Sequence, residues 1–529
     1  MFKRRKLLQF AGMAVGMYSG VGHSKEMAGK PFRHHPLDPV TTVNFQKKLF
    51  VPVGSGPFGV LDVVEPVKIR ATEASFPFLA KHESPFLLYQ TEQAGKAYQN
   101  PIFRIERGSR FSASLTNELK EPTIIHWHGL HTPAAMDGHP STTIGPGARY
   151  DYDFTVSNRG GTYWYHTHAH KLTAKQAYTG LASFFLVEDD DQRTLVKALD
   201  FRLGETDLPV VIQDKQFDEH DKLRYKPNAQ ESMMGWLGDI ILANLTPNAV
   251  QAMTRRAYRL RLLNGSNSRI YRLAFLTGNK KLDFTVMGTD GGLLARPESV
   301  TQAFLAPGER LDVLFDAGHV QSGSDVFLKS LAFDAMENEG FMGGMDMGKS
   351  TSRLAMGTEF NILKLTVMAS ERTPVKLPAI LSQVQAISQQ GATSRNIDLS
   401  LVGMRFLING LKFQMDEIAF EVKRGSVEVW NIRNPTAGMP HPMHLHGFSF
   451  QVLERLNSPS QVSTNARFGK GRTVTDLGWK DTVLVWPGET VRIAIDFTHN
   501  FSASQTYLFH CHNLEHEDAG MMINFRVQA

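Results

Sequence analysis

Three times along this chain a Pro-Gly pair opens a stretch that alternates apolar and polar residues. The copies are Pro146-Gly147 before Ala-Arg-Tyr-Asp-Tyr-Asp-Phe, Pro307-Gly308 before Glu-Arg-Leu-Asp-Val-Leu-Phe, and Pro487-Gly488 before Glu-Thr-Val-Arg-Ile-Ala-Ile-Asp-Phe. A turn former feeding a period of two is strand chemistry, because successive side chains of a strand face opposite sides. A second alternating strand lies upstream of each copy, at Phe103 to Leu119, Tyr258 to Leu263 and Val422 to Ile432. A recurrence of about 150 to 180 residues is too long for a solenoid and fits one β-sandwich per copy. A chain of 529 residues also exceeds one ordinary core. The expectation is all-β, with three sandwich domains at residues 40–195, 205–370 and 395–529.

The composition, 42% hydrophobic and 21% charged with 44 Gly and 25 Pro, excludes disordered and fibrous classes and agrees with a turn-rich β protein. Between the copies, the acidic run Glu188 to Asp191 and the Pro-, Gln- and Ser-rich stretch from Ser370 to Ser394 read as connecting segments. A charge run is ordinarily a solvated surface, so the first is given no function.

The N-terminus carries Lys3, Arg4, Arg5 and Lys6 and then a weakly apolar stretch from Leu7 to Val21. This is too short and too polar for a spanning helix and reads as an export signal over residues 1–24. The paired arginines are similar to a twin-arginine signal, with Lys3 where Ser or Thr is usual. The expected location is the periplasm or otherwise outside the cytoplasm, without a membrane anchor. The formal charge of +5 includes those four cations, so cleavage before Lys25 leaves +5 − 4 = +1. No basic stripe with interleaved aromatics remains, so no nucleic-acid partner is expected.

The single cysteine, Cys511, cannot staple an exported protein internally, and its surroundings supply another use for it. Half of the 20 histidines fall in four short clusters: His126-Trp-His128, His166-Thr-His168, His441-Pro-Met-His444-Leu-His446, and His510-Cys511-His512 followed by His516 and Met521. Imidazoles with one thiolate suit copper or zinc. Strand parity then divides them. His510 and His512 share a face and Cys511 takes the other; His444 and His446 share a face, and His441 falls with Cys511. Cys511, His441, His516 and Met521 form the donor set of a blue-copper centre, whereas structural zinc brings more thiolates and no thioether. The pairs 126/128, 166/168, 444/446 and 510/512 give eight imidazoles, enough for a cluster of three coppers. The peptide backbone on either side of Cys511 joins the two sites.

These four clusters resemble the signature motifs of the multicopper oxidase family, which includes laccases, bilirubin oxidases and bacterial cuprous oxidases. The likeness covers the mature chain and is most specific in His-Cys-His-Asn-Leu-Glu-His-Glu-Asp-Ala-Gly-Met-Met from 510 to 522. The resemblance implies three cupredoxin-like Greek-key β-sandwich domains and four copper ions: one type 1, one type 2 and a type 3 pair. It implies that His126 and His444 bind type 2 copper, that His128, His166 and His512 bind one type 3 ion, and that His168, His446 and His510 bind the other. It assigns Asp137 and Glu517 to proton delivery, a need set by the four protons that water formation consumes. The second domain lacks histidines in the matching segments and is expected to be a spacer. Met521, in place of the Leu or Phe of high-potential laccases, implies a modest potential.

The implied function is one-electron oxidation of a small-molecule or Cu(I) donor, phenolic compounds included, coupled to reduction of dioxygen to water, by a monomer. Thioethers select Cu(I), and Met336, Met342, Met345, Met347 and Met356 lie in a Gly-rich stretch expected to be an exposed, metal-handling loop. Met439 matches a substrate-copper ligand of bacterial cuprous oxidases, but the aspartate those enzymes place two residues earlier is Ala437. The competing reading is a non-enzymatic relative, a copper-resistance or scaffold protein of the same fold.

Overall fold

The computed structural model describes residues 45–79, 83–337, 350–436 and 438–529. The export-signal segment, Met342, Met345, Met347 and Ala437 lie outside them. Each expected Pro-Gly copy is a tight turn, with Gly147, Gly308 and Gly488 at φ 77, 83 and 74°. The turns lead into Arg149–Thr155, Arg310–Asp316 and Thr490–Asp496. Each of these strands pairs antiparallel with the upstream strand, respectively Arg110–Asn117, Ala257–Asn264 and Val427–Arg433. The same long-range pair thus occurs once per sandwich, as the sequence recurrence requires.

Among the described residues six sheets result, two to a sandwich. In the first sandwich, Val67–Phe76 and Ser84–Gln93 lie in one sheet, and Ile125–His128, Gly161–Thr167 and Ala182–Glu188 in the other. Sheets of seven and eight strands build the second sandwich, and Lys47–Lys48 joins the former, parallel to Ala249–Met253. Two five-stranded sheets build the third. Parity sets what each core receives. Trp127, between two histidines, turns inward against Phe111 and Tyr152, with ring centroids 4.8 and 5.1 Å away. Leu445 and Cys511 turn inward in the third core among Met443, Phe509 and Met521. The flanking histidines are left on the faces where the sandwiches meet.

The acidic run is more than a connector. Glu188 ends a strand, and Asp189 is the N-cap of a helix over Asp190–Leu199, accepting from Gln192 N at 3.0 Å and Gly160 N at 2.6 Å. Asp190 and Asp191 then occupy the first turn, where negative charge offsets the helix dipole. Residues 371–392 have no regular structure, although Val375, Leu377 and Leu381 anchor them on a small core. Among the described residues no helix is long and apolar enough to cross a membrane.

Candidate metal centre

The strands Ile125–His128 and Gly161–Thr167 are antiparallel neighbours with His126 opposite His166, and His444 is likewise paired with His510. The first and third sandwiches face one another across these strands, so their imidazoles interdigitate. His128 stacks on His444 at 3.6 Å and His126 on His446 at 3.8 Å. All eight are essentially inaccessible to solvent. Their burial holds them below the ordinary imidazole range, His166 at about 3 and His510 at about 4. They are therefore neutral bases, the form that ligates metal.

The outer nitrogen of most of these rings is tied to an acceptor, which fixes the tautomer. His126 Nδ1 donates to Asp137 O at 2.7 Å and His444 Nδ1 to Asp481 O at 2.8 Å, which leaves their Nε2 atoms bare and 3.3 Å apart. His446 Nδ1 donates to Asp137 Oδ2 at 2.6 Å and His510 Nδ1 to Cys511 O at 3.1 Å; their Nε2 atoms meet at 3.0 Å. His166 Nδ1 donates to Thr167 O at 2.8 Å, so its Nε2 faces His128 Nδ1 at 3.4 Å. His168 and His512 keep both nitrogens buried with no hydrogen-bond partner among the described residues. Burying such atoms unpaired is costly. Bare nitrogens converging in this way are what a cation satisfies.

Donor atoms of His168, His446 and His510 lie within 4.8 Å of one another, as do those of His126, His444 and His446 and those of His126, His128 and His166. The ring centroid of His512 is 5.0 Å from that of His128 and 5.3 Å from that of His166. All eight paired histidines thus come together in one cluster.

A second group forms on the opposite face of the same strand. Cys511 Sγ lies 3.5 Å from His441 Nδ1 and 3.5 Å from His516 Nδ1. A single helical turn, Leu514–Asp518, brings His516 back to the cysteine. Its N-cap is Asn513, whose side chain accepts from His516 N at 3.4 Å. His516 Nε2 donates to Met233 O at 2.9 Å, which frees Nδ1 for the sulfur side. Phe406 stacks on the His516 ring at 4.0 Å. Burial pushes the Cys511 thiol up, so a cation must displace its proton. Met521 is buried in the same core, and its carbonyl accepts from Cys511 N at 3.0 Å.

The two carboxylates singled out in the sequence are buried, not surface groups. Asp137 follows the short 3-10 helix Ala134–Met136 on a loop stitched to the third sandwich. His131 Nδ1 donates to Gly447 O at 2.6 Å and Tyr507 Oη to Thr132 O at 2.6 Å. Gly138 makes the approach possible: its φ is 83°, and a Cβ there would lie 2.0 Å from Ile125 O. Glu517 Oε1 is 3.5 Å from His168 Nε2, and Oε2 is 3.4 Å from His510 Nδ1. Burial raises both carboxyls well above their usual range.

Sequence reasoning missed Asp481, Thr482 and Arg310. Asp481 Oδ1 accepts from His128 Nε2 at 2.9 Å, and Arg310 donates to that same oxygen at 2.8 Å. Their signal was a charged residue beside a mostly apolar strand, as in Lys480-Asp481 before Thr482–Val485. The second sandwich contributes no histidine to the cluster but reaches it through Arg310, so it is more than a spacer. Met356 also departs from expectation. It is half-buried against a small core of Ile270, Ala306, Val462, Leu484 and Trp486, with its sulfur 3.4 Å from Ile270 N, so it packs instead of presenting its thioether in an exposed loop.

Residues 90–192 and 373–529 match family models described as multicopper oxidase. The chain is 30% identical over 465 residues to the multicopper oxidase mco of Staphylococcus epidermidis, covering 87% of this chain and 88% of that one. It is 31% identical to a laccase of Bacillus subtilis, covering 79% and 82%. The cell division protein FtsP of Xenorhabdus nematophila is 30% identical, covering 80% and 82%. Among solved structures, the McoA multicopper oxidase of Aquifex aeolicus is 38% identical with a TM-score of 0.81, covering 92% of this chain and 100% of that one.

Proposed function

This chain belongs to the multicopper oxidase family and is a copper-dependent oxidoreductase, and from that premise we propose how its residues divide four copper ions between two sites. Cys511, His441, His516 and Met521 hold a type 1 ion in the core of the third domain. His126 and His444 hold the type 2 ion through Nε2. The triads His128, His166, His512 and His168, His446, His510 hold the type 3 pair. The copper ions, when bound, supply reversible one-electron chemistry, by which electrons from a donor are gathered singly until four reduce dioxygen to water.

The protein supplies the rest. It fixes each imidazole as a neutral base with one bare nitrogen and keeps bulk water away from the cluster. Asp137, beside His126 and His446, and Glu517, beside His168 and His510, hold and pass protons where they are consumed. The backbone from Cys511 to His510 and His512 gives electrons a covalent route between the sites. The donor is Cu(I) or an electron-rich phenol, in keeping with the thioether of Met521 and with Met439 packed against the same core. The same proposal includes domains at 40–195, 205–370 and 395–529, and a protein that is exported, monomeric and without a membrane anchor.

One observation carries this reading: Cys511 lies among core residues with His441 and His516, while His510 and His512 emerge on the other face among six further imidazoles. Copper-loaded protein is expected to show a blue thiolate-to-copper band and to consume one dioxygen for every four Cu(I) or phenolic electrons. A colourless, oxygen-inert copper protein would favour instead a scaffold role, the reading suggested by the division-protein relatives.

A further inference from the structure

The second sandwich touches the histidine cluster directly. Its Pro307-Gly308 turn runs so close that a Cβ on Gly308 would lie 3.1 Å from the His512 ring and 3.2 Å from His128 Cε1. Two residues on, Arg310 is 1% exposed and every arm is engaged. Nε donates to Thr162 O at 3.0 Å in the first sandwich, Nη1 to Gly308 O at 2.8 Å, and Nη2 to Asp290 O at 3.1 Å. The guanidinium also grips Asp481 of the third sandwich bidentately, Nη1 on Oδ1 at 2.8 Å and Nη2 on Oδ2. Asp290 completes the frame. Its Oδ1 accepts from Arg310 N at 2.8 Å, and its Oδ2 pairs with Lys480 Nζ at 2.8 Å.

The gripped segment in turn holds two members of the cluster. Asp481 Oδ1 accepts from His128 Nε2 at 2.9 Å, Asp481 O accepts from His444 Nδ1 at 2.8 Å, and Thr482 Oγ1 lies 3.2 and 3.1 Å from those two nitrogens. Carboxylate and carbonyl oxygens only accept, so His128 is left with a bare Nδ1 and His444 with a bare Nε2, both turned into the cluster. The frame is also charged: Arg310 and Lys480 against Asp290, Glu309 and Asp481 sum to +2 − 3 = −1, all buried. A bidentate guanidinium fixes both position and plane of a carboxylate, which a lone ammonium does not. A buried carboxylate deprived of its cation does not hold its place.

We infer that Arg310, braced by Asp290, is a positioning residue for the oxygen-reducing site. Through Asp481 it sets the tautomer and orientation of His128 and His444, and this is the second domain's contribution to the reaction. The inference rests on the copper assignment proposed above.

The test uses the full chain loaded with copper and compares Arg310→Met, Arg310→Lys and Asp481→Asn with wild type. The readouts are copper per chain, copper affinity by chelator competition, the blue band and the type 2 electron paramagnetic resonance signal. Arg310→Met is expected to keep the blue band, to lose cluster copper affinity by about 10- to 100-fold and to change the type 2 hyperfine splitting. Arg310→Lys should recover part of the affinity without restoring the wild-type signal. Asp481→Asn keeps the side-chain shape and should change the signal in the same way, which covers the case in which Arg310→Met does not fold. Variants with wild-type copper content, affinity and type 2 signal, however lowered in melting temperature, would show a purely structural bridge and overturn the inference. A wild-type chain with no blue band and no cluster copper would instead overturn the functional assignment itself.

Discussion

Replacing Asp137 in two ways separates two jobs that one carboxylate performs. Its Oδ2 accepts from His446 Nδ1 at 2.6 Å and its main-chain oxygen from His126 Nδ1 at 2.7 Å, so it orients one proposed ligand of each type. Its Oδ1 is buried and has no hydrogen-bond partner among the described residues, and burial favours the protonated carboxyl. On the proposed reading, that oxygen carries a proton to the cluster. Asp137→Asn keeps an acceptor for His446 and the side-chain volume but has no proton to give. Copper content and the blue band are expected to stay near wild type. Oxygen uptake should fall by about 10²- to 10³-fold, a barrier increase of about 3–4 kcal/mol. Asp137→Ala goes further. It strands a fully buried His446 N–H, at a cost of about 1–3 kcal/mol, and should weaken copper binding by roughly 10- to 100-fold. The assay is oxygen uptake per blue centre, with copper per chain measured on the same samples. Wild-type turnover in Asp137→Asn would refute the proton-carrying role. Full copper affinity in Asp137→Ala would refute the orienting one.

Cys511→Ser is expected to abolish the blue band and donor oxidation while the cluster keeps its copper and its type 2 signal; loss of both sites together would contradict their separation by strand parity. Lys215 is buried without a carboxylate in hydrogen-bond reach among the described residues, its ammonium donating to Tyr178 O, and burial, partly offset by Asp214, lowers it from 10.5 to about 7. Between those values the unfolded chain binds the extra proton, so stability should rise with pH across that window. The gap corresponds to roughly 5 kcal/mol. Lys215→Met should therefore raise the melting temperature at pH 6 and lose that advantage towards pH 10, and a pH-independent difference would contradict the assignment. Asp189→Ala removes the cap of the helix Asp190–Leu199 and the acceptor for Gly160 N. It should cost about 1 kcal/mol in urea unfolding while leaving copper content unchanged.

Local chemistry was legible in the sequence because the strand period is fixed by covalent geometry. Trp127 between His126 and His128, and Cys511 between His510 and His512, had to face away from their neighbours, and they do. The three Pro-Gly strands likewise announced three equivalent pairings. Asp189 and Gln192 carried a readable capping signature that the charge run obscured. Met356 could not be read, since whether a thioether packs or projects depends on Ile270, Leu484 and Trp486, remote in sequence.

What the order of residues determined by itself is therefore the candidate donors and, for those on strands, the face on which each lies, since both follow from residue type and a two-residue repeat. What only the tertiary structure decided is which nitrogen is bare on His446 and His128. That choice belongs to acceptors far away in the chain: Asp137 for His446, and Asp481, clamped by Arg310, for His128. No local pattern encodes those partnerships, because they exist only where three sandwiches close on one buried space, in which each unpaired N–H is costly.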